Sequence, residues 1–294
     1  MIFNKKKVQL SNGETYAYIE EGTGENLLLI HGNMSSGVHF MPILPQLAKK
    51  YHCYALDLRG FGDSTFNNLF FSMEHLAYDV KLFADALNLK NSNILCWSAG
   101  GGVALELAAN YPHLVNKLFS IEGASHKGYP IFKKDEKGNP KLNEPYFSVA
   151  QMSTDPIQVA PLVKAFAEKN YTAIAQVWDA VIYPVNKPNS ADNEIFIKET
   201  AKQVCLPYLD WALANLNMSN TNSAYNSGDN SIQNIKCLCA FTSADKDYVV
   251  PEYMVMENVT AIKNSKLIRY TNCGHSPLID CPQQLVKDIL DFFE

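Results

Sequence analysis

No apolar run in this 294-residue chain is long enough to cross a bilayer, so no membrane-spanning helix is expected. Basic residues are outnumbered, 25 Lys and Arg against 30 Asp and Glu, and the net charge is −5. Phosphate contacts need a basic surface, so this balance argues against general nucleic-acid binding. The histidines never fall at His-x-His or His-Glu-x-x-His spacing. His39, His52, His75, His113 and His126 stand apart, and no metal site is expected. Gly22-Thr23-Gly24 lacks the lysine and the spacing of a phosphate loop, so no nucleotide or other cofactor is expected either. The seven cysteines are odd in number and have no framework spacing, which reads as reduced thiols. Cys237-x-Cys239 sets two of them on one face of a strand. Residues 1–7 lack the apolar core of a signal peptide, and a cytoplasmic location is expected. No internal repeat is present.

What is present suits one large domain, or a core with an insertion: 47% of residues are hydrophobic and 19% charged. Two alternating runs flank Asn12-Gly13 and read as a hairpin. Continuous apolar runs at 26–31, 51–57, 94–97 and 116–122 read as strands buried on both faces. Between them lie helical patterns at 38–50, 72–87 and 103–109. Strands alternating with helices predict a mostly parallel α/β sheet with helices on both faces. The alternation stops at about residue 126 and resumes at about 231. The intervening stretch reads as loops at 128–135 and 137–140 and helices at 156–169 and 193–216. Its Asn/Ser-rich tail, 217–234, reads as a mobile linker. Residues 1–125 and 231–294 are thus expected to form the core, and 126–230 a helical lid. Strands at 235–242 and 266–270 and helices at 252–263 and 283–293 complete the core.

The chemistry centres on Ser98. A short apolar strand leads to it, and Ala99-Gly100-Gly101-Gly102 carries the chain into a helix. A strand–turn–helix of this kind lifts a serine hydroxyl above a sheet edge, and small neighbours let helix and strand pass closely. The usual pattern is Gly-x-Ser-x-Gly, and Cys96 stands at its first position, so a slightly wider turn is expected. A serine hydroxyl needs a base, and the base needs a carboxylate. His275, after the last strand, is the candidate base. Asp247, after the strand at 235–242, is the candidate acid, with Asp245 and Glu122 as alternatives. His31 reads as a loop organiser, and Asp57 and Arg59 as residues that hold the turn after their strand. All three candidates fall at C-terminal strand ends, where open α/β sheets place their sites.

In the order Ser98, Asp247, His275 the chain resembles the α/β-hydrolase superfamily. The matching pieces are His31-Gly32-Asn33, residues 57–64, the turn around Ser98, residues 247–251, Gly274-His275 and Asp280-Cys281-Pro282. The resemblance implies an oxyanion hole made by the backbone N–H groups of Ala99 and Asn33. It also implies cleavage of a carboxylic ester through an acyl-enzyme. Within the superfamily, Trp97 to Gly102 and the run Gly128 to Asp135 are most similar to bacterial intracellular depolymerases of short-chain polyhydroxyalkanoate. Ala99 stands where those proteins usually carry Met. This implies poly(3-hydroxybutyrate) or its oligomers as substrate and a polymer granule surface as partner. A small-molecule esterase or enol-lactonase is the alternative of the same class. A ligand-binding or signalling protein on the same scaffold is the alternative of another class.

Overall fold

A computed structural model describes residues 4–294, so the start of the N-terminal run, residues 1–3, lies outside the described residues. Eight strands form the main sheet: β1 (Lys5–Gln9), β2 (Thr15–Glu21), β3 (Glu25–Ile30), β4 (Tyr51–Leu56), β5 (Ser92–Trp97), β6 (Val115–Ile121), β9 (Leu238–Ala244) and β10 (Ser265–Tyr270). Their spatial order is β1-β2-β4-β3-β5-β6-β9-β10. β1 pairs antiparallel with β2, and β2 with β4; every other pairing is parallel. The fold is therefore the mostly parallel α/β architecture that the alternation predicts. The hairpin turns at Asn12-Gly13, where Gly13 takes a φ of +88°.

Side chains alternate across each strand, so the apolar runs feed both faces. Leu28, Ile30, Ile94 and Cys96 enter one core layer, while Leu27, Leu29, Leu95 and Trp97 enter the other. Each fully buried side chain of this size contributes roughly 1.5–3 kcal/mol. The helices Met73–Ala86 and Gly100–Asn110 cover the first face, and Pro282–Phe293 packs on the second.

Four expectations are corrected. The helix expected at 38–50 is a 3-10 turn, Gly37–Phe40, and one α turn, Leu44–Leu47. Pro42 and Pro45 deny the backbone donors that a longer helix needs. The loops expected at 128–140 form a second, two-stranded sheet of β7 (Phe132–Lys134) and β8 (Pro140–Pro145). The helix expected at 193–216 is two helices, Ser190–Thr200 and Leu206–Asn215. Pro207 sits in the first turn of the second, where its missing N–H is harmless, and in the gap Val204 N–H bonds Gly60 O instead. The tail read as a mobile linker is tied down locally. Met218 is buried with its N–H on His126 O, and Ser219 Oγ donates to Asn217 Oδ1.

The rest of the segment between β6 and β9 adds the helices Val149–Met152, Ala160–Ala167 and Tyr171–Val177. The last runs on into a wide turn, Trp178–Ile182, closed by Tyr183 N–H on Trp178 O. Pro184 then ends it and packs over Gly274, where an added Cβ would lie 2.6 Å from the proline ring. No helix among the described residues is long and apolar enough to cross a membrane. All seven cysteines are free.

Candidate active site

β5 delivers Ser98 in the left-handed region, φ +54°, strained for a residue with a side chain. The surroundings hold it there. Ser98 N–H bonds Ile121 O at the end of β6, and Ser98 O accepts from Gly101 and Ala124. An added Cβ at Gly32 would come 2.7 Å from Ser98 Cβ, and one at Gly100 would collide with the carbonyls of Ile30 and His31. The small residues are therefore demanded by the approach of three chain segments. Cys96 is fully buried, yet the turn closes on hydrogen bonds of ordinary length, 2.8 Å for Gly101 N–Ser98 O. The wider turn expected from Cys96 is not seen.

The loop after β10 carries His275. Its carbonyl accepts the Trp97 indole N–H at 2.9 Å, and Gly274 N–H bonds Asp280 Oδ2 at 2.7 Å. His275 Nε2 stands 2.8 Å from Ser98 Oγ, and its Nδ1 stands 2.8 Å from Asp247 Oδ2. The other Asp247 oxygen, Oδ1, accepts from the N–H groups of Val249 and Val250 at 2.7 and 2.9 Å. These bonds fix the tautomer: Nδ1–H donates to Asp247, and Nε2 is free to accept from Ser98. Both alternatives to Asp247 are elsewhere engaged. Asp245 is exposed and accepts from Cys273 N–H. Glu122 accepts from Thr242 Oγ1 and Ala244 N–H. Burial, then the neighbouring Asp247 charge, pushes the Glu122 carboxyl well above its ordinary pKa.

Among the described residues, neither Ala99 N–H nor Asn33 N–H has a protein acceptor, and both residues line the same cavity as Ser98. The Asn33 side chain is clamped: Oδ1 accepts from Met34 N–H and Gln203 Nε2, and Nδ2 donates to Asp210 Oδ1 at 3.1 Å. His31 spans two strand ends. Its Nε2 accepts from Leu58 N–H, its Nδ1–H donates to Gly32 O, and burial lowers its pKa to about 4. Asp57 accepts from the N–H groups of Gly37 and Asp63, and Arg59 is paired with Asp79.

The cavity has a volume of about 430 Å³ and is walled by Tyr129, Ile131, Ile157, Leu206, Leu213 and Val249 among others. A wider surface groove of about 710 Å³, along His126, Asn220 and Tyr253, contains none of Ser98, Asp247, His275, Ala99 and Asn33. Sequence reasoning missed Trp97 as an anchor of the His275 loop, and it missed Gln203 and Asp210. Asp210 had one signal: it falls on the stripe Leu206, Leu209, Asp210, Leu213, a carboxyl on an otherwise apolar face.

Comparison with known proteins agrees with the fold. The family model described as alpha/beta hydrolase fold matches residues 25–145. An esterase from Exiguobacterium antarcticum superposes with a TM-score of 0.75 at 17% identity, over 98% of this chain and 99% of that one. The chain has the α/β-hydrolase fold. In sequence, this α/β-hydrolase-fold chain is 33% identical over 127 residues to an Acinetobacter baylyi protein, (E)-2-((N-methylformamido)methylene)succinate hydrolase, covering 40% of this chain and 45% of the relative. It is 34% identical over 101 residues to the pimeloyl-[acyl-carrier protein] methyl ester esterase of Aeromonas hydrophila, covering 34% of this chain and 38% of the relative. The alignable stretch thus spans less than half the length of these curated relatives.

Proposed function

We propose that the protein hydrolyses carboxylic esters through a serine acyl-enzyme. The observation that carries this reading is the unbroken series Asp247–His275–Ser98 opening onto an apolar cavity. Ser98 Oγ attacks the carbonyl carbon while His275 Nε2 takes its proton. Asp247 keeps Nδ1–H oriented and balances the positive ring. The carbonyl oxygen gains negative charge and faces the N–H groups of Ala99 and Asn33. Each donor of this kind contributes about 2.7–4 kcal/mol to the transition state. The carbon–oxygen bond to the alcohol then breaks, and the alcohol leaves with the proton from Nε2. Water attacks the acyl-enzyme with His275 again as base, releasing the acid and Ser98.

The finer reading is poly(3-hydroxybutyrate) or its oligomers. It is supported by the likeness of residues 97–102 and 128–135 to intracellular depolymerases, and by a cavity of a size that suits short-chain acids. The Aeromonas relative is named as an esterase of a pimeloyl-[acyl-carrier protein] methyl ester, which supports ester cleavage without favouring a polymer.

Two measurements test the proposal. A fluorophosphonate probe is expected to label the native chain and not Ser98→Ala; labelling that survives in Ser98→Ala contradicts the assignment. The substrate is tested by release of 3-hydroxybutyrate from amorphous polymer granules. Good turnover of small esters with no release would overturn the polymer reading alone.

A further inference from the structure

Asp210 is a carboxyl in the wrong company. It sits on the inward stripe of the Leu206–Asn215 helix, buried to 6% exposure, in the wall of the cavity that holds Ser98. It is the one carboxyl among the described residues lining that wall. Its sole side-chain hydrogen bond among the described residues is the one Oδ1 accepts from Asn33 Nδ2. No lysine or arginine is paired with it there. Oδ2 is left without a protein partner in an apolar cavity. Because Oδ1 is tied to the side chain of Asn33, Oδ2 is held beside a segment that lines the cavity together with Ser98.

We propose that Asp210 is a specificity residue: its Oδ2–H donates a hydrogen bond to an acceptor oxygen in the chain of the bound ester. The site would then favour oligoesters and other esters of alkoxy- or acyloxy-substituted short acids over plain alkanoate esters. This rests on the ester-hydrolase reading above. Donation requires the neutral acid. Burial, then the Asp155 charge, raises the Asp210 pKa to about 8, against the opposing bond from Asn33. The titratable groups around it are Asp155, Tyr129 and Cys205. Burial raises Tyr129 and Cys205, so both stay neutral where Asp210 titrates. Burial opposes the charge of Asp155, but the N–H groups of Gln158 and Ile157 and the Lys134 ammonium hold it low, so it stays ionised. The oxygen atoms of an ether or ester accept and never donate. Protonated Asp210 therefore binds them, and ionised Asp210 repels them.

The test compares ethyl 3-methoxybutanoate with ethyl 3-methylpentanoate, which differ by one oxygen in place of a methylene. At each pH the ratio of their kcat/KM values cancels every pH effect that the two substrates share. The native chain is expected to favour the methoxy ester about ten-fold at about pH 6, the order of one hydrogen bond. The preference should be lost as pH rises through about 8. Asp210→Asn keeps a donor that does not ionise, so its preference should persist at alkaline pH. Asp210→Leu should have none at any pH. A native ratio near one, or a preference that survives alkaline pH in the native chain, overturns the inference and leaves the ester-hydrolase reading intact. No turnover of either ester, with no fluorophosphonate label on Ser98, overturns that reading itself.

Discussion

Glu122 follows β6 directly, with its backbone at φ +43° and its carboxyl against Asp247. Thr242 serves it twice: Oγ1 accepts from Glu122 N–H and donates to Oε1. The two carboxyls share a buried corner, and burial beside Asp247 keeps the proton on Glu122. Stability follows from this. The unfolded chain releases the proton at the ordinary value of 4.5, and the folded chain holds it to a much higher pH. The native state therefore binds more protons above that value, and the contribution of Glu122 turns unfavourable as pH rises from there toward its folded pKa. Glu122→Gln has no proton to hold. Its urea midpoint relative to the native chain is expected to be higher at about pH 8 than at about pH 5. An unchanged difference across that range would mean that Glu122 is ionised in the folded protein.

Between elements, one polar tie is built on Lys5. This β1 residue reaches Asp57 after β4 at 2.7 Å, Glu199 of the Ser190–Thr200 helix at 2.6 Å and Asp63 at 3.1 Å. Three carboxylates so close would suit a cation, and the lysine ammonium is that cation here. Ser36 Oγ and Gly37 N–H bond the same carboxylates, so the knot also fixes the 3-10 turn beside Asn33. Removing one partner of a buried ion pair leaves the other charge unpaired. Lys5→Met is expected to lower stability by roughly 3–5 kcal/mol in urea denaturation. A loss under about 1 kcal/mol would class the knot with surface pairs. Its members come from four separate stretches, at residue 5, at 36–37, at 57–63 and at 199, so no local pattern announces the knot. Prolines are different: Pro42, Pro45 and Pro207 were visible, and reading them as helix-breakers would have divided both overlong helices.

Across the whole molecule, the segment between β6 and β9 shares both core layers with the sheet. Leu209, Leu213 and Met218 join Phe61 and Met73 in one layer, and Ile131, Phe166, Trp178 and Phe196 join Val38 and Trp97 in the other. His39 is stacked between Trp178 and Phe196, with ring centroids 5.1 and 4.8 Å away. Residues that share a core unfold together. One calorimetric transition is expected for the full chain, and deletion of residues 126–230 should leave no folded core. Two resolved transitions would make that segment an independent unit.

The alternating apolar runs determined the parallel sheet, because strand and helix periods are local properties of the chain. Local spacing also put Ser98, Asp247 and His275 at strand ends, and the glycines after Ser98 announced a close crossing. Only the tertiary structure decided that His275 bonds Asp247 rather than Asp245 or Glu122. It alone paired β7 with β8, folded the Asn/Ser-rich tail against His126, and turned Asp210 toward Asn33. Each of these depends on which side chains meet across long separations, 177 residues for His275 and Ser98, and 177 again for Asn33 and Asp210. Contacts at that range are set by how packed layers close on one another, and no window of sequence contains them.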